Sequence, residues 1–255
     1  MLMKLLALAC CVYLLVAAAV WAFQRSLLYH PQPQGAAVPT VLVQGAEVAV
    51  HAAVHGAHHR DAVVYLGGNA EDVSQTLPSL AQAFPAHALY ALQYRGYGQS
   101  QGQPTEPALV ADALALAQQV LGVHSRLTLV GRSLGSGVAV QVAAALAVQA
   151  TLERLVLVTP YDSMANVAQG HYPWLPARWL IKDKLNAAVH APRVSVPTLI
   201  LVAEHDAVVP KARAQALLQA FRPGLARGVE LPGTDHNTIG LHPRYAALLG
   251  ATDGL

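Results

Sequence analysis

The sequence predicts an α/β protein, with a mostly parallel central sheet flanked by helices, a small cap insertion and an N-terminal apolar helix. Three observations carry this reading. Short runs rich in β-branched and other apolar residues alternate with segments of helical spacing, which is the pattern of repeated strand-helix-strand units. Those runs are apolar almost throughout, as strands buried on both faces are. One segment, from Tyr161 to Val196, breaks the alternation with prolines, Tyr172, Trp174 and Trp179 among short helical pieces.

In chain order, Leu5 to Phe23 carries no charge, follows Lys4 and precedes Gln24 and Arg25. Its length is close to the ~20 residues a bilayer-crossing helix needs. Residues 1–24 therefore read as a single-pass membrane anchor, with Lys4 and the terminal amine tilting the N-terminus toward the inside. The competing reading is a secretory signal cut near Ala17-Ala18-Ala19, which would release the protein to the periplasm or outside the cell. Residues 25–37, with "HPQPQG", form a connector, and residues 38–255 form the globular domain, whose cap covers about 161–196. Strands are expected over Ala62–Leu66, Ala88–Leu92, Leu127–Val130, Leu155–Val158, Thr198–Val202 and, more briefly, Gly228–Leu231. Helices are expected over Glu106–Leu121, Ser133–Val148 and Lys211–Phe221. His55-Gly56-Ala57-His58 reads as the turn of an early hairpin.

The formal net charge is +2 and the Lys and Arg are scattered, so a nucleic-acid partner is set aside. Both cysteines, Cys10 and Cys11, lie in the apolar segment, leaving the folded part without a thiol for a disulfide, a metal or a nucleophile. The cluster of His51, His55, His58 and His59 matches no closed metal-site spacing and reads as an exposed turn. No metal or cofactor is expected.

Gly131-Arg132-Ser133-Leu134-Gly135 fits the small-x-Ser-x-small nucleophile elbow, with an apolar strand before it and an alanine-rich helix after it. Side chains at the flanking glycines would collide with neighbouring strands, and the helix N-terminus favours negative charge developing near the hydroxyl. The bland alternative is a glycine-rich turn or a phosphate-binding helix start. A serine hydroxyl needs a base, so a nucleophilic Ser133 demands an acid and a histidine on later loops, in the order Ser, Asp, His. "TLILVAEHDAVVP" offers Asp206 in an Asp-x-x-Val-Pro turn, with Glu204 as competitor at the strand end. "RGVELPGTDHNTI" places His236 after the last strand. Stabilising an oxyanion would take the backbone N–H of Leu134 and a second N–H from the loop "GGNAED", where Asn69 is the candidate.

Taken together these segments resemble the α/β-hydrolase superfamily, and within it the membrane-associated, serine aminopeptidase-like branch that includes protein depalmitoylases. "GGNAED" is similar to that branch's His-Gly-Asn-Ala loop. "YRGYGQSQGQPTE" resembles its Tyr-Arg-Gly-Tyr-Gly segment, and "TPYDSMANVA" with "YPWLPARWLIKD" its cap. The resemblance implies a serine hydrolase, an esterase or thioesterase acting on a small-molecule or lipid acyl substrate. Ser133, Asp206 and His236 would form its triad, and Asn69 and Leu134 its oxyanion hole. Two positions depart from the pattern: Gly67 stands where the family usually has histidine, and Gln93 where it often has aspartate. The first motivates an alternative reading, a catalytically silent binding protein on the same fold, and an aminopeptidase is a further alternative. Arg95, Tyr94 and Tyr97 read as a loop-fixing network, and Trp174 and Trp179 as packing for the cap or walls of an acyl pocket.

Overall fold

Along β3 (Asp61–Leu66) successive side chains go to opposite faces of the sheet. Ala62, Val64 and Leu66 enter a large core, while Val63 and Tyr65 enter a smaller one on the other side. Because both faces are covered, the strand carries no charge after Asp61. The computed structural model, which describes residues 1–147 and 151–251, repeats this pattern in β4 (His87–Leu92), β5 (Arg126–Arg132), β6 (Leu152–Val158) and β7 (Thr198–Ala203). With β1 (Thr40–Leu42), β2 (His51–His55) and β8 (Ala226–Leu231) they form one sheet, ordered β1-β2-β4-β3-β5-β6-β7-β8. The strands from β4 to β8 run parallel, and β2 is antiparallel to both its neighbours.

The larger core lies under α3 (Glu106–Leu121), α4 (Leu134–Ala145) and α8 (Lys211–Ala220) through residues such as Leu109, Leu116, Val138 and Leu217. The smaller core lies under α2 (Val73–Ala83) and α9 (Tyr245–Gly250) through Val73, Leu77, Leu80 and Leu249. The α3 start is specified locally: Thr105 accepts a hydrogen bond from the Ala108 N–H, and Pro107 sits in the first turn, where its missing N–H costs nothing. Between β6 and β7 the cap holds three short helices, α5 (Met164–His171), α6 (Ala177–Leu180) and α7 (Ala187–His190).

Helix α1 (Leu2–Leu28) has 27 residues and none of them is buried. At 1.5 Å per residue it is about 40 Å long, and its most apolar stretch has a mean hydropathy of 2.5. By length and composition it suffices to cross a membrane.

Four expectations differ from the structure. The helix runs on through Leu28, because nothing breaks it before Pro31. Residues 29–36 are no free connector either: Tyr29 is 3% exposed within the large core, Asp72 accepts from the Gly35 N–H at 2.7 Å, and Gln93 donates to Gln34 at 2.7 Å. The predicted hairpin at His55–His58 is not one, since β4 lies between β2 and β3 in the sheet and the turn crosses over it. Helix α2 has no counterpart in the prediction because Pro78 interrupts its pattern, yet Asp72 caps it by accepting from the Ser74 N–H at 3.0 Å. The predicted end of the elbow helix, Val148, lies outside the described residues, as do residues 252–255 of the predicted domain.

Candidate active site

Ser133 stands between the end of β5 and the start of α4 with φ 47° and ψ −114°. A non-glycine residue pays steric strain of about 1–3 kcal/mol in such a conformation and persists there only when its surroundings enforce it. They do so here. The Ser133 N–H donates to the Val158 carbonyl of β6 at 2.9 Å, and its own carbonyl accepts from the Ser136 N–H and hydroxyl at 2.9 and 2.6 Å. Gly131 and Gly135 make the turn possible: a Cβ on Gly135 would strike the Leu66 carbonyl oxygen, and one on Gly131 would come within 2.6 Å of Ala139.

The three side chains singled out on separate loops converge. His236 Nε2 lies 2.9 Å from Ser133 Oγ, and His236 Nδ1 lies 2.8 Å from Asp206 Oδ2. Asp206 can only accept, so Nδ1 carries the proton and Nε2 is left as the acceptor for the serine hydroxyl. The acid is fixed in turn. Its second oxygen accepts from the Val208 and Val209 N–H groups at 2.9 and 2.6 Å, and its side chain is 2% exposed. Glu204 serves elsewhere, accepting from the Gly233 N–H at 2.7 Å. The loop of His236 is shaped by Asp235, whose exposed carboxyl accepts from the Thr238 and Asn237 N–H groups, and these bonds lower its pKa.

Opposite the elbow runs the loop after β3. A Cβ at Gly68 would lie 3.6 Å from Ser133 Cβ, so the loop backbone faces the serine directly. The Asn69 side chain ties this loop to the end of α1: it donates to the Leu28 carbonyl and accepts from the His30 N–H at 2.9 Å and the Tyr97 hydroxyl at 2.8 Å. Among the described residues, neither the Asn69 nor the Leu134 main-chain N–H has an acceptor.

One hub escaped the sequence reading. The Glu71 carboxylate accepts from the Tyr65 hydroxyl at 2.8 Å, Thr76 Oγ1 at 2.7 Å, the Gly68 N–H at 2.6 Å and Arg132 Nη1 at 3.1 Å. Arg132 also donates to the His236 carbonyl at 3.3 Å. A single ion pair thus joins the loop facing Ser133, the residue preceding Ser133 and the histidine loop. Burial acts to lower the Arg132 pKa, but the Tyr65 and Glu71 oxygens outweigh it and raise it, so the guanidinium stays charged. Burial also lifts Tyr65 and Tyr94 well above the usual phenol range, which keeps both as donors. The only hint in the sequence was that Glu71 follows Gly68 by three residues.

The residues read as a loop-fixing network make such contacts. Arg95 forms a two-pronged pair with Asp112 at 2.8 and 2.9 Å, and Tyr94 donates to the Gly67 carbonyl at 3.0 Å. Gln93, 2% exposed, accepts from the Gln99 N–H at 2.7 Å. Among the described residues no three His, Cys, Asp or Glu side chains converge as a metal site would require.

A strained serine between β5 and α4, on a sheet of this order, points to one fold family, and a family model described as the alpha/beta hydrolase fold matches residues 61–189. The chain belongs to the α/β-hydrolase family. An uncharacterized Mycobacterium tuberculosis protein is 34% identical over 86% of this chain and 82% of its own length. The alpha/beta hydrolase domain-containing protein aho-3 of Caenorhabditis elegans is 30% identical over 72% of this chain, and the lysophosphatidylserine lipase ABHD12 of Danio rerio is 32% identical over 58%. This chain spans 54% and 44% of those two relatives. Among solved structures, an alpha-beta hydrolase from Vibrio vulnificus superposes with a TM-score of 0.68 at 18% identity, covering 84% of this chain and 80% of that one. The esterase Pf2001 of Pyrococcus furiosus gives 0.65 at 14% identity, covering 88% and 96%.

Within this α/β-hydrolase the departure at Gly67 has a packing cause. A Cβ there would lie 2.6 Å from Val73 Cγ1 and 3.3 Å from Glu71 Cδ, so valine at the start of α2 occupies the space a larger residue needs. Gly67→His is expected to lower stability by about 1–3 kcal/mol through overpacking. Adding Val73→Ala is expected to return part of that loss. Thermal unfolding of the two variants decides it, and additive losses would refute the shared space.

Proposed function

We propose that this chain is a serine hydrolase that cleaves a carboxylic ester or thioester through an acyl-enzyme, held to a membrane by α1. The observation that carries the reading is the unbroken hydrogen-bonded line from a strained Ser133 through His236 to Asp206. As Ser133 Oγ bonds to the substrate carbonyl carbon, His236 Nε2 takes its proton, and Asp206 holds the ring and stabilises the imidazolium. The carbonyl oxygen becomes an oxyanion, for which the free N–H groups of Leu134 and Asn69 are the donors. Collapse expels the alcohol or thiol, which leaves with the proton from His236. Water then repeats the sequence: His236 deprotonates it, the acyl group departs as the carboxylic acid, and Ser133 recovers its proton.

Two further observations support a lipid substrate and a membrane setting. One relative is named a lysophosphatidylserine lipase, and α1 has the length and apolarity of a span. In this reading residues 1–24 are the anchor and the hydrolase body follows, with the cap over about 161–196.

A fluorophosphonate probe is expected to label the intact protein at Ser133 and to leave Ser133→Ala unlabelled. Absence of labelling in the folded wild type would favour the catalytically silent binding protein.

A further inference from the structure

Helix α1 does not stand apart from the cap. Tyr13 Oη donates to the Trp174 carbonyl at 3.0 Å, and Tyr13 is the sole hydroxyl on the helix between Lys4 and Gln24. Lys182 Nζ sits 3.9 Å from the centre of the Trp21 ring. Gln24 donates to the Leu180 carbonyl at 3.1 Å and accepts from the Lys182 N–H at 2.6 Å, and Arg25 makes a two-pronged pair with the buried Asp183 at 2.9 and 3.2 Å. The cap therefore follows α1 from residue 25 back to residue 13, a rise of about 18 Å along the helix.

The two elements enclose an apolar groove of about 270 Å³, walled by Val20, Trp21 and Leu27 on α1 and by Ala168, Leu175 and Ile181 on the cap. Its α1 wall ends at Leu28, whose carbonyl accepts from the Asn69 side chain on the loop facing Ser133. Tyr172 and Trp174, which also line the groove, are 53% and 55% exposed, and Trp179 beside them is 87% exposed. A water-facing surface has no reason to hold these rings beside an apolar helix.

A membrane around α1 accounts for all of this. With Gln24, Arg25 and Lys182 at head-group level, Trp21 falls in the aromatic belt. Tyr13 and Trp174 then lie about 12 Å deeper than Trp21, most of the way through one leaflet of a hydrocarbon core ~30 Å thick. At that depth a main-chain carbonyl needs an internal partner, and Tyr13 supplies one to Trp174. The exposed Arg178 is long enough for its charge to return to the head groups while its stem stays in the apolar layer.

We propose that the cap segment from Tyr172 to Ile181 is sunk in one leaflet beside α1, and that the groove between them holds an acyl chain of a bilayer lipid, so that the scissile carbonyl comes to Ser133 from the membrane. The inference rests on α1 being a membrane span and deepens the hydrolase reading by naming where its substrate enters.

The test uses the full chain carrying Ser133→Ala in phosphatidylcholine vesicles that contain a trace of phosphatidylcholine with a diazirine on one acyl chain. After illumination, adducts on Ala168, Leu175 or Ile181 are expected alongside those on the free face of α1. Adducts confined to outward residues such as Leu8, Leu15 and Phe23 would mean ordinary surrounding lipid and would overturn the proposal. So would a mature protein that begins after Ala19. In the catalytically intact chain, Ala177→Trp, which fills the groove, is expected to lower the ratio of p-nitrophenyl palmitate to p-nitrophenyl acetate hydrolysis at least tenfold. An unchanged ratio would count against the groove; if both activities vanish, the adduct map decides. Fluorophosphonate labelling of the wild type separates the two readings. Labelling with no groove adducts leaves the hydrolase and removes the lipid groove, and adducts without labelling do the reverse.

Discussion

Replacing Ser133 with alanine is expected to lower kcat for ester hydrolysis on the order of 10⁴- to 10⁶-fold, with the residual rate supplied by the backbone donors alone. The loss is expected to be large because, among the described residues, His236 is the one side-chain partner of Ser133 Oγ, at 2.9 Å, and in the proposed mechanism the two work as a unit. Adding His236→Ala to Ser133→Ala is therefore expected to cost almost nothing more. Asp206→Asn is expected to cost about 10⁴-fold, because an amide can present its NH₂ to His236 Nδ1 and so favour the tautomer with the proton on Nε2, facing the serine. Steady-state rates on p-nitrophenyl acetate check all three. If the double variant falls by the product of the single losses, the residues do not work as one relay and the assignment of roles fails.

Glu71→Ala is expected to destabilise the chain by about 3 kcal/mol, the lower end of the range for a buried pair that loses one partner. The lower end applies because the Arg132 side chain is 23% exposed and some water reaches it. For a chain of this size that amounts to a fall in Tm of roughly 6–12 °C. Activity is expected to fall as well, since the Gly68 N–H, the Tyr65 and Thr76 hydroxyls and Arg132 lose their common acceptor. Glu71→Gln separates the contributions. It keeps an acceptor for Tyr65 and Thr76, leaves Arg132 without a counter-charge and turns an NH₂ toward a donor at Gly68 or Arg132, so its stability should fall between those of the wild type and Glu71→Ala. A Tm for Glu71→Ala within about 2 °C of wild type would show that the hub carries no stability.

Much of the fold was legible because it depends on local pattern. The five central strands read correctly to within a few residues, since their central side chains are buried on both faces and almost all of them are apolar. The flanking glycines of the elbow and the Asp-x-x-Val-Pro turn were equally local signals. What escaped was non-local. The strand order that puts β4 between β2 and β3 cannot be read from a turn sequence, and Pro78 hid a helix that packing sustains. Glu71 draws its meaning from partners at positions 65, 68, 76 and 132, which only the folded chain assembles. The association of α1 with the cap was invisible for the same reason, because an apolar helix read alone looks like a span with nothing attached.

The hold of Asn69 on Leu28 and His30 has a practical consequence for anyone preparing this enzyme without its apolar helix. A truncation at residue 38, where sequence alone puts the domain start, would take away Tyr29 from the core and leave the Asn69 amide, the Asp72 carboxylate and Gln93 each short of a partner. These contacts predict a folding unit that starts inside the last turns of the helix. A soluble protein that keeps Gln24 onward preserves those ties and the Arg25–Asp183 pair, and it is the shorter form, not the longer, that should prove inactive or insoluble.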